Sequence, residues 1–96
     1  MLHFHEEARE EYFRAVEYYA DVSASLAERF ISEVERALHE IIDYPLRYRV
    51  HRIYYRVKLL RKFKYSIFYR ISGADIFVIA IHHHSQMPNQ WIRRSR

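Results

Sequence analysis

Apolar residues recur every three or four positions as far as Tyr44-Pro45 and at every second position beyond it. A helix repeats at 3.6 residues and a half-buried strand at two, so this change divides the chain into a helical part and a strand-forming part. Before the proline, Ala8, Tyr12, Ala15, Val16 and Tyr19 share one helix face. Glu6 and Glu7 fall where carboxylates meet the positive end of the helix dipole. The spacing predicts a helix over 6–20, ended by the polar break Asp21-Val22-Ser23-Ala24. Ser25-Leu26-Ala27-Glu28 then reads as a capping box, its hydroxyl and carboxylate satisfying backbone N–H groups reciprocally. The stripe Leu26, Phe30, Val34, Ala37, Leu38 and Ile41 follows it, and Pro45 stops this second helix. Two antiparallel helices joined by a four-residue turn result, each with an apolar face that needs a cover.

Beyond Pro45, Tyr55, Val57 and Leu59 alternate with Arg56, Lys58 and Leu60, which predicts a strand with one basic face. Tyr65, Ile67, Tyr69 and Ile71 mark a second strand, and Ser72-Gly73-Ala74-Asp75 reads as a hairpin turn. Ile76 to Ile81 is apolar on both faces and is expected at the centre of the sheet. Leu2-His3-Phe4 suggests one more strand inside the sheet, and Met87 to Arg96 a last helical turn after Pro88. The expected fold is α+β, a single domain over residues 1–96. Its order is strand, helix, helix and a three-strand meander, with the helical hairpin packed on one face of a small antiparallel sheet. The opposite sheet face is expected to stay partly open.

Charge divides at the same point. Residues 1–45 hold eleven acids against four arginines, net −7, and residues 46–96 hold twelve Lys/Arg against Asp75 alone, net +11. Such halves share one small domain if they occupy different surfaces or neutralise each other where they meet, and the basic half becomes a candidate face for an acidic partner. The chain has no cysteine, which excludes disulfides, thiolate zinc sites and thiol catalysis. No apolar run approaches the ~20 residues that span a bilayer. No charged-then-apolar leader opens the chain either, so a soluble cytoplasmic protein without membrane partners is expected.

His82-His83-His84 invites a metal reading, but neighbouring strand residues point to opposite faces, so at most His82 and His84 share an ion. No metal and no cofactor is expected. Paired-carboxylate catalysis lacks acids in the basic half, Gly73 alone makes no phosphate loop, and Ser85 beside His84 carries no nucleophile motif. What remains is the basic segment Arg56, Lys58, Arg61, Lys62 and Lys64, joined by Arg93, Arg94 and Arg96 and interleaved with Tyr54, Tyr55, Phe63, Tyr65 and Trp91. Solubilising charge, nucleic-acid contact and docking of an acidic or amphipathic protein segment all fit that pattern. The last would leave an uncovered apolar and basic groove.

Several strings in order resemble the RelE/ParE superfamily of bacterial toxin–antitoxin toxins, closest to the ParE branch of plasmid stabilisation proteins. They are Ala15-Val16-Glu17-Tyr18-Tyr19, Phe30-Ile31-Ser32-Glu33-Val34, Tyr44-Pro45 and Lys62-Phe63-Lys64-Tyr65-Ser66-Ile67-Phe68-Tyr69-Arg70. Val78-Ile79-Ala80-Ile81 and the closing His83-His84-Ser85-Gln86-Met87-Pro88-Asn89-Gln90-Trp91 complete the set. The resemblance implies a toxin neutralised by a cognate antitoxin, whose C-terminal segment lays apolar and acidic residues over the hairpin and the basic sheet. It also implies DNA gyrase as target on the ParE side, or ribosome-bound mRNA on the RelE side.

RelE-type cleavage rests on a Lys/Arg cluster and a tyrosine or histidine near the C-terminus. Lys58, Arg61 and Lys62 could supply the charge, with His83 or His84 for proton transfer. The position after the last strand where the family often carries arginine is Gln86, and Trp91 stands in a Pro-x-x-Trp pattern of the ParE side. An indole is no acid–base catalyst. The expectation is therefore a non-enzymatic, ParE-like gyrase inhibitor that binds its partners through Arg56, Lys58, Arg61, Lys62, Lys64, Trp91, Arg93 and Arg94. The alternatives are a ribosome-dependent endonuclease using Lys58, Arg61, His83 and His84, or a non-toxic basic binding module.

Overall fold

The computed structural model describes residues 1–94, so Arg96, grouped above with the tail cations, lies outside the described residues. The chain runs β1 (Leu2–Phe4), α1 (Glu6–Val22), α2 (Ala24–Asp43), β2 (Arg49–His51), β3 (Tyr55–Leu59), β4 (Tyr65–Ser72) and β5 (Asp75–His83). A 3-10 turn, Gln90–Arg93, follows Pro88. This is the α+β order expected from the change of period.

The two helices meet at one residue. The Ser23 N–H donates to the Tyr19 carbonyl and closes α1, while its hydroxyl accepts the Leu26 N–H and opens α2. The cap is thus Ser23 rather than Ser25, and no four-residue turn forms. Because α1 continues to Val22, Ser25 already lies inside α2, where its hydroxyl is not at the cap.

The sheet has five strands in the order β1-β5-β4-β3-β2. Its pairs are antiparallel except β1, which runs parallel to β5 and lies at the edge rather than inside the sheet. β5 is flanked on both sides, the interior position that its two apolar faces require, although β4 is the middle strand. β2 is a three-residue strand that the alternation did not reveal. Gly73 turns β4 into β5 at φ 60, a left-handed angle that glycine adopts without a Cβ clash. In β5, Phe68 faces Ala80 and Tyr69 faces Val78, leaving Ile79 as an extra residue. This bulge lets Ile79 and Ala80 both pack on the far face of the sheet.

The helices cover the near face. Phe30, Val34, Ala37 and Ile41 of α2, with Ala8 and Ala15 of α1, pack against Ile67, Tyr69, Ile76, Val78 and Ile81. Phe30 centres an aromatic group with Tyr19, Phe63 and Tyr65, its ring 4.9 to 5.2 Å from theirs. The Tyr69 hydroxyl donates to the Pro45 carbonyl at 2.7 Å, tying the end of α2 to the sheet. On the far face, Trp91 is 0% exposed and packs with Ile79, Ala80, Tyr55, Phe68, Phe77 and Ile92. The face expected to stay partly open is therefore covered at its middle by the chain's own tail.

Candidate partner-binding surface

The basic face of β3 points inward. Arg56 lies opposite Tyr69 and Lys58 opposite Ile67, both residues of the near-face core, so their side chains share the side of the sheet that meets α2. Arg56 donates to the carbonyls of Tyr48 at 2.8 Å and Leu46 at 3.2 Å, stapling the segment that leads into β2. Lys58 Nζ stands 3.1 Å from a Glu40 carboxylate oxygen and 4.6 Å from the centre of the Tyr48 ring. Arg61 reaches the other Glu40 oxygen at 3.8 Å. The hydrogen bond from Lys58, helped by the charges of Lys58, Arg61 and Arg36, holds the Glu40 carboxyl below its usual range. Here the acidic and basic halves neutralise each other. Arg56 and Lys58 thus make contacts within the protein, a placement the alternation of β3 could not reveal.

Arg61, Lys62 and Lys64 are exposed around the β3–β4 connection. Lys62 joins Arg29 and Arg36 of α2 along a groove of about 540 Å³ that also exposes Leu26, Phe63 and Ser32. Its one acid, Glu33, is 6% exposed and held by the guanidinium of Arg36. An apolar and cationic groove therefore exists, but between α2 and the β3–β4 connection rather than on the open sheet.

The tail residues proposed to meet a partner divide. Arg93 is exposed, whereas Trp91 and Arg94 belong to the interior. The Arg94 side chain is 13% exposed and donates to the Ile79 carbonyl at 2.9 Å and to Glu11 at 3.0 and 2.5 Å, with Glu7 at 3.1 Å. Glu11 also accepts the Ile81 N–H at 2.9 Å and meets His82 Nε2 at 3.0 Å. Burial opposes its charge, but the bonds from His82, Arg94 and Ile81 outweigh it and hold the carboxyl at about 2. Burial likewise opposes the Arg94 charge, and Glu11 and Glu7 overcome it, so that pKa rises. Glu11 stands where β1 has ended and supplies the β5 edge with the acceptor a strand would have given. From the sequence alone Glu11 has no assigned role, and this clamp was missed. Its signal was positional: Glu11 borders the apolar stripe between Ala8 and Tyr12, with Glu7 four residues away.

The histidines are committed separately. His82 meets Glu11 on one side of the strand end, and His84 Nε2 lies 3.0 Å from Ser66 Oγ. His83 Nδ1 accepts the Ser85 N–H at 3.0 Å, and Gln86 Oε1 accepts the His83 N–H at 2.8 Å. A cavity of about 200 Å³ lies beside them, bounded by His51, Phe68, Met87 and Trp91. Among the described residues, no three His, Cys, Asp or Glu side chains form a metal-binding group. Lys58 and Arg61 converge on Glu40, while His83 contacts Tyr65 of the near-face core and His84 contacts Ser66 of the opposite face. The two cations and the two histidines weighed for RNA cleavage thus have different partners.

A helical hairpin laid on a five-stranded sheet of this order agrees with the α+β fold that the RelE/ParE resemblance implies. The family described as ParE toxin of type II toxin-antitoxin system, parDE, matches residues 2–88, and the chain belongs to it. No curated protein matches the chain. The family match implies an antitoxin partner. No helix among the described residues is long and apolar enough to cross a membrane.

Proposed function

We infer that this toxin acts as a ParE-like inhibitor of DNA gyrase in the cytoplasm, without catalysis of its own. In this reading an antitoxin segment that is acidic and apolar restrains it through the exposed cations Arg61, Lys62, Lys64 and Arg93. The observation that carries the reading is that Lys58 and Arg61 are tied to Glu40, whereas His83 and His84, their rings 6.4 Å apart, have Ser85 and Ser66 as partners. Phosphodiester cleavage needs a charge-stabilising group and a proton-transfer group within hydrogen-bond reach of one phosphate. The groove beside α2 offers a cognate segment cations and apolar contact together.

The test places purified toxin in a gyrase supercoiling assay and, in parallel, in a ribosome-bound mRNA cleavage assay. Supercoiling should stop at stoichiometric toxin, added antitoxin should restore it, and mRNA should stay intact. Cleaved mRNA with normal supercoiling overturns the reading. One observation favours the nuclease alternative, the Ser66–His84 pair beside the cavity under Trp91. Loss of mRNA cleavage in a folded His84→Ala variant would establish it. Harmless overexpression without antitoxin would instead mark a non-toxic binding module.

A further inference from the structure

The hairpin formed by β2 and β3 carries cations of one kind. Between residues 46 and 57 stand Arg47, Arg49, Arg52 and Arg56, with no lysine and no acid among them. Arg56 turns inward to the Tyr48 and Leu46 carbonyls. Arg47, Arg49 and Arg52 are exposed and form no ion pair among the described residues. The last pair of the hairpin, His51 opposite Tyr55, is seated on Trp91, with ring centres 5.7 and 4.8 Å from the indole. Asn89 holds the His51 ring at 2.7 Å. Beyond this fixed base Arg52, Ile53 and Tyr54 form the tip, where Ile53 is 82% exposed.

The tip is built against local preference. Arg52 lies at φ 54 and Ile53 at φ 65, left-handed angles that hairpin loops ordinarily give to asparagine or glycine. For a β-branched residue such an angle costs stability, and Ile53 makes no core contact that would offset it. Solubilising charge accounts for the arginines but not for an isoleucine displayed at a strained angle on a fixed base. An aliphatic tip set among arginines suits the minor groove of DNA, where apolar wedges part a base step and cations meet the phosphates. Arginine in particular favours the narrow, strongly negative groove of A·T-rich sequence. A single strand instead calls for aromatic faces on which bases stack. Here the tip is aliphatic, and one face of the nearby Tyr44 ring is taken by the Arg47 guanidinium at 3.9 Å. We propose that the β2–β3 hairpin binds duplex DNA, Ile53 entering the minor groove at a flexible pyrimidine–purine step while Arg47, Arg49 and Arg52 meet the phosphates around it. The bound duplex is bent at that step. The inference goes beyond the gyrase reading, because DNA alone is the ligand and no enzyme takes part.

The full chain is titrated, without gyrase, into an end-labelled A·T-rich duplex of about 20 base pairs carrying 2-aminopurine at a central TA step. Emission of the base analogue should rise on binding, and energy transfer between the ends should report the bend. Affinity should fall with salt at a logarithmic slope of about 3, one counter-ion for each arginine. The double variant Arg49→Ala, Arg52→Ala should lower that slope to about 1, with unchanged Trp91 emission reporting an intact fold. Ile53→Gly, which relieves the strained angle, should keep the slope and lose both the rise in emission and the bend. Absence of binding overturns the proposal, as does a rise unaltered by Ile53→Gly, a slope unaltered in the double variant, or equal affinity for the single strand. Displacement of the duplex by poly-glutamate at equal charge also overturns it, since the surface would then answer to any polyanion. Supercoiling inhibition is a separate measurement, so the two readings fail independently.

Discussion

Replacing Glu11 by glutamine should release the tail from the sheet, and the structure sets the size of the effect. The Glu11 carboxyl lies at about 2 against an ordinary value of 4.5. At 1.36 kcal/mol per pKa unit, the depression corresponds to a ceiling of about 3 kcal/mol of stability. Solvent reaches the pair slightly, at 10% for Glu11 and 13% for Arg94, so about 2–3 kcal/mol is the working figure. Glutamine can still accept the Ile81 N–H, but its amide carries no charge for Arg94 and leaves that guanidinium buried without its main counter-ion. For a domain of this size the loss lowers Tm by roughly 10–20 °C.

The sign with pH follows from the direction of the shift. A carboxyl whose folded pKa is depressed stabilises fully above its unfolded value, and the contribution falls away as pH drops through the folded value. The difference between the unaltered chain and Glu11→Gln should therefore be constant above about pH 4.5 and close progressively toward pH 2. Thermal unfolding followed by circular dichroism gives the global value. Trp91 is the chain's one tryptophan and is fully buried, so its emission reports the tail itself. A Glu11→Gln protein within about 0.5 kcal/mol of the original at pH 7 would refute the clamp, as would a gap that persists unchanged below pH 2.

Trp91→Ala should cost about 3–5 kcal/mol in chemical denaturation, because the indole is fully buried between Phe68, Tyr55 and β5. Ile53→Gly should stabilise by roughly 1 kcal/mol, since glycine accepts φ 65 and the side chain lost is 82% exposed; the same denaturation midpoint measures it. A double-mutant cycle on Lys58 and Glu40 should give a coupling below about 1 kcal/mol that weakens with added salt, because Glu40 is 30% exposed.

The change of period at Pro45 carried the architecture because it reports backbone geometry directly. The stripes on α1 and α2, apart from Leu26, and the two-faced apolar run in β5 became core or packed against it. β2 escaped notice because three residues, Arg49-Val50-His51, are too few to show alternation and two of them are polar. The parallel pairing of β1 with β5 joins segments more than seventy residues apart, a contact that no local pattern encodes. Ser23 and Ser25 are chemically equal candidates for the cap, and only the length of α1 decides between them.

The candidate surface was harder to read for a related reason. Alternation separates the two faces of a strand but does not say which one meets the helices, so Arg56 and Lys58 could be paired to each other and not to Glu40 or the Tyr48 carbonyl. The opposite charges of the two halves are cancelled in just such places, Glu40 against Lys58 and Arg61, and Glu11 against Arg94. Each cancelled pair removes a cation from the surface available to a partner and fixes an element in its place. What remains cationic is the pair of rims whose side chains form no ion pair among the described residues, Arg47, Arg49 and Arg52 beside β2 and Lys62 and Lys64 beside the α2 groove. A net charge of +4 therefore understates the attraction, since an acidic segment crossing both rims meets cations without their counter-ions.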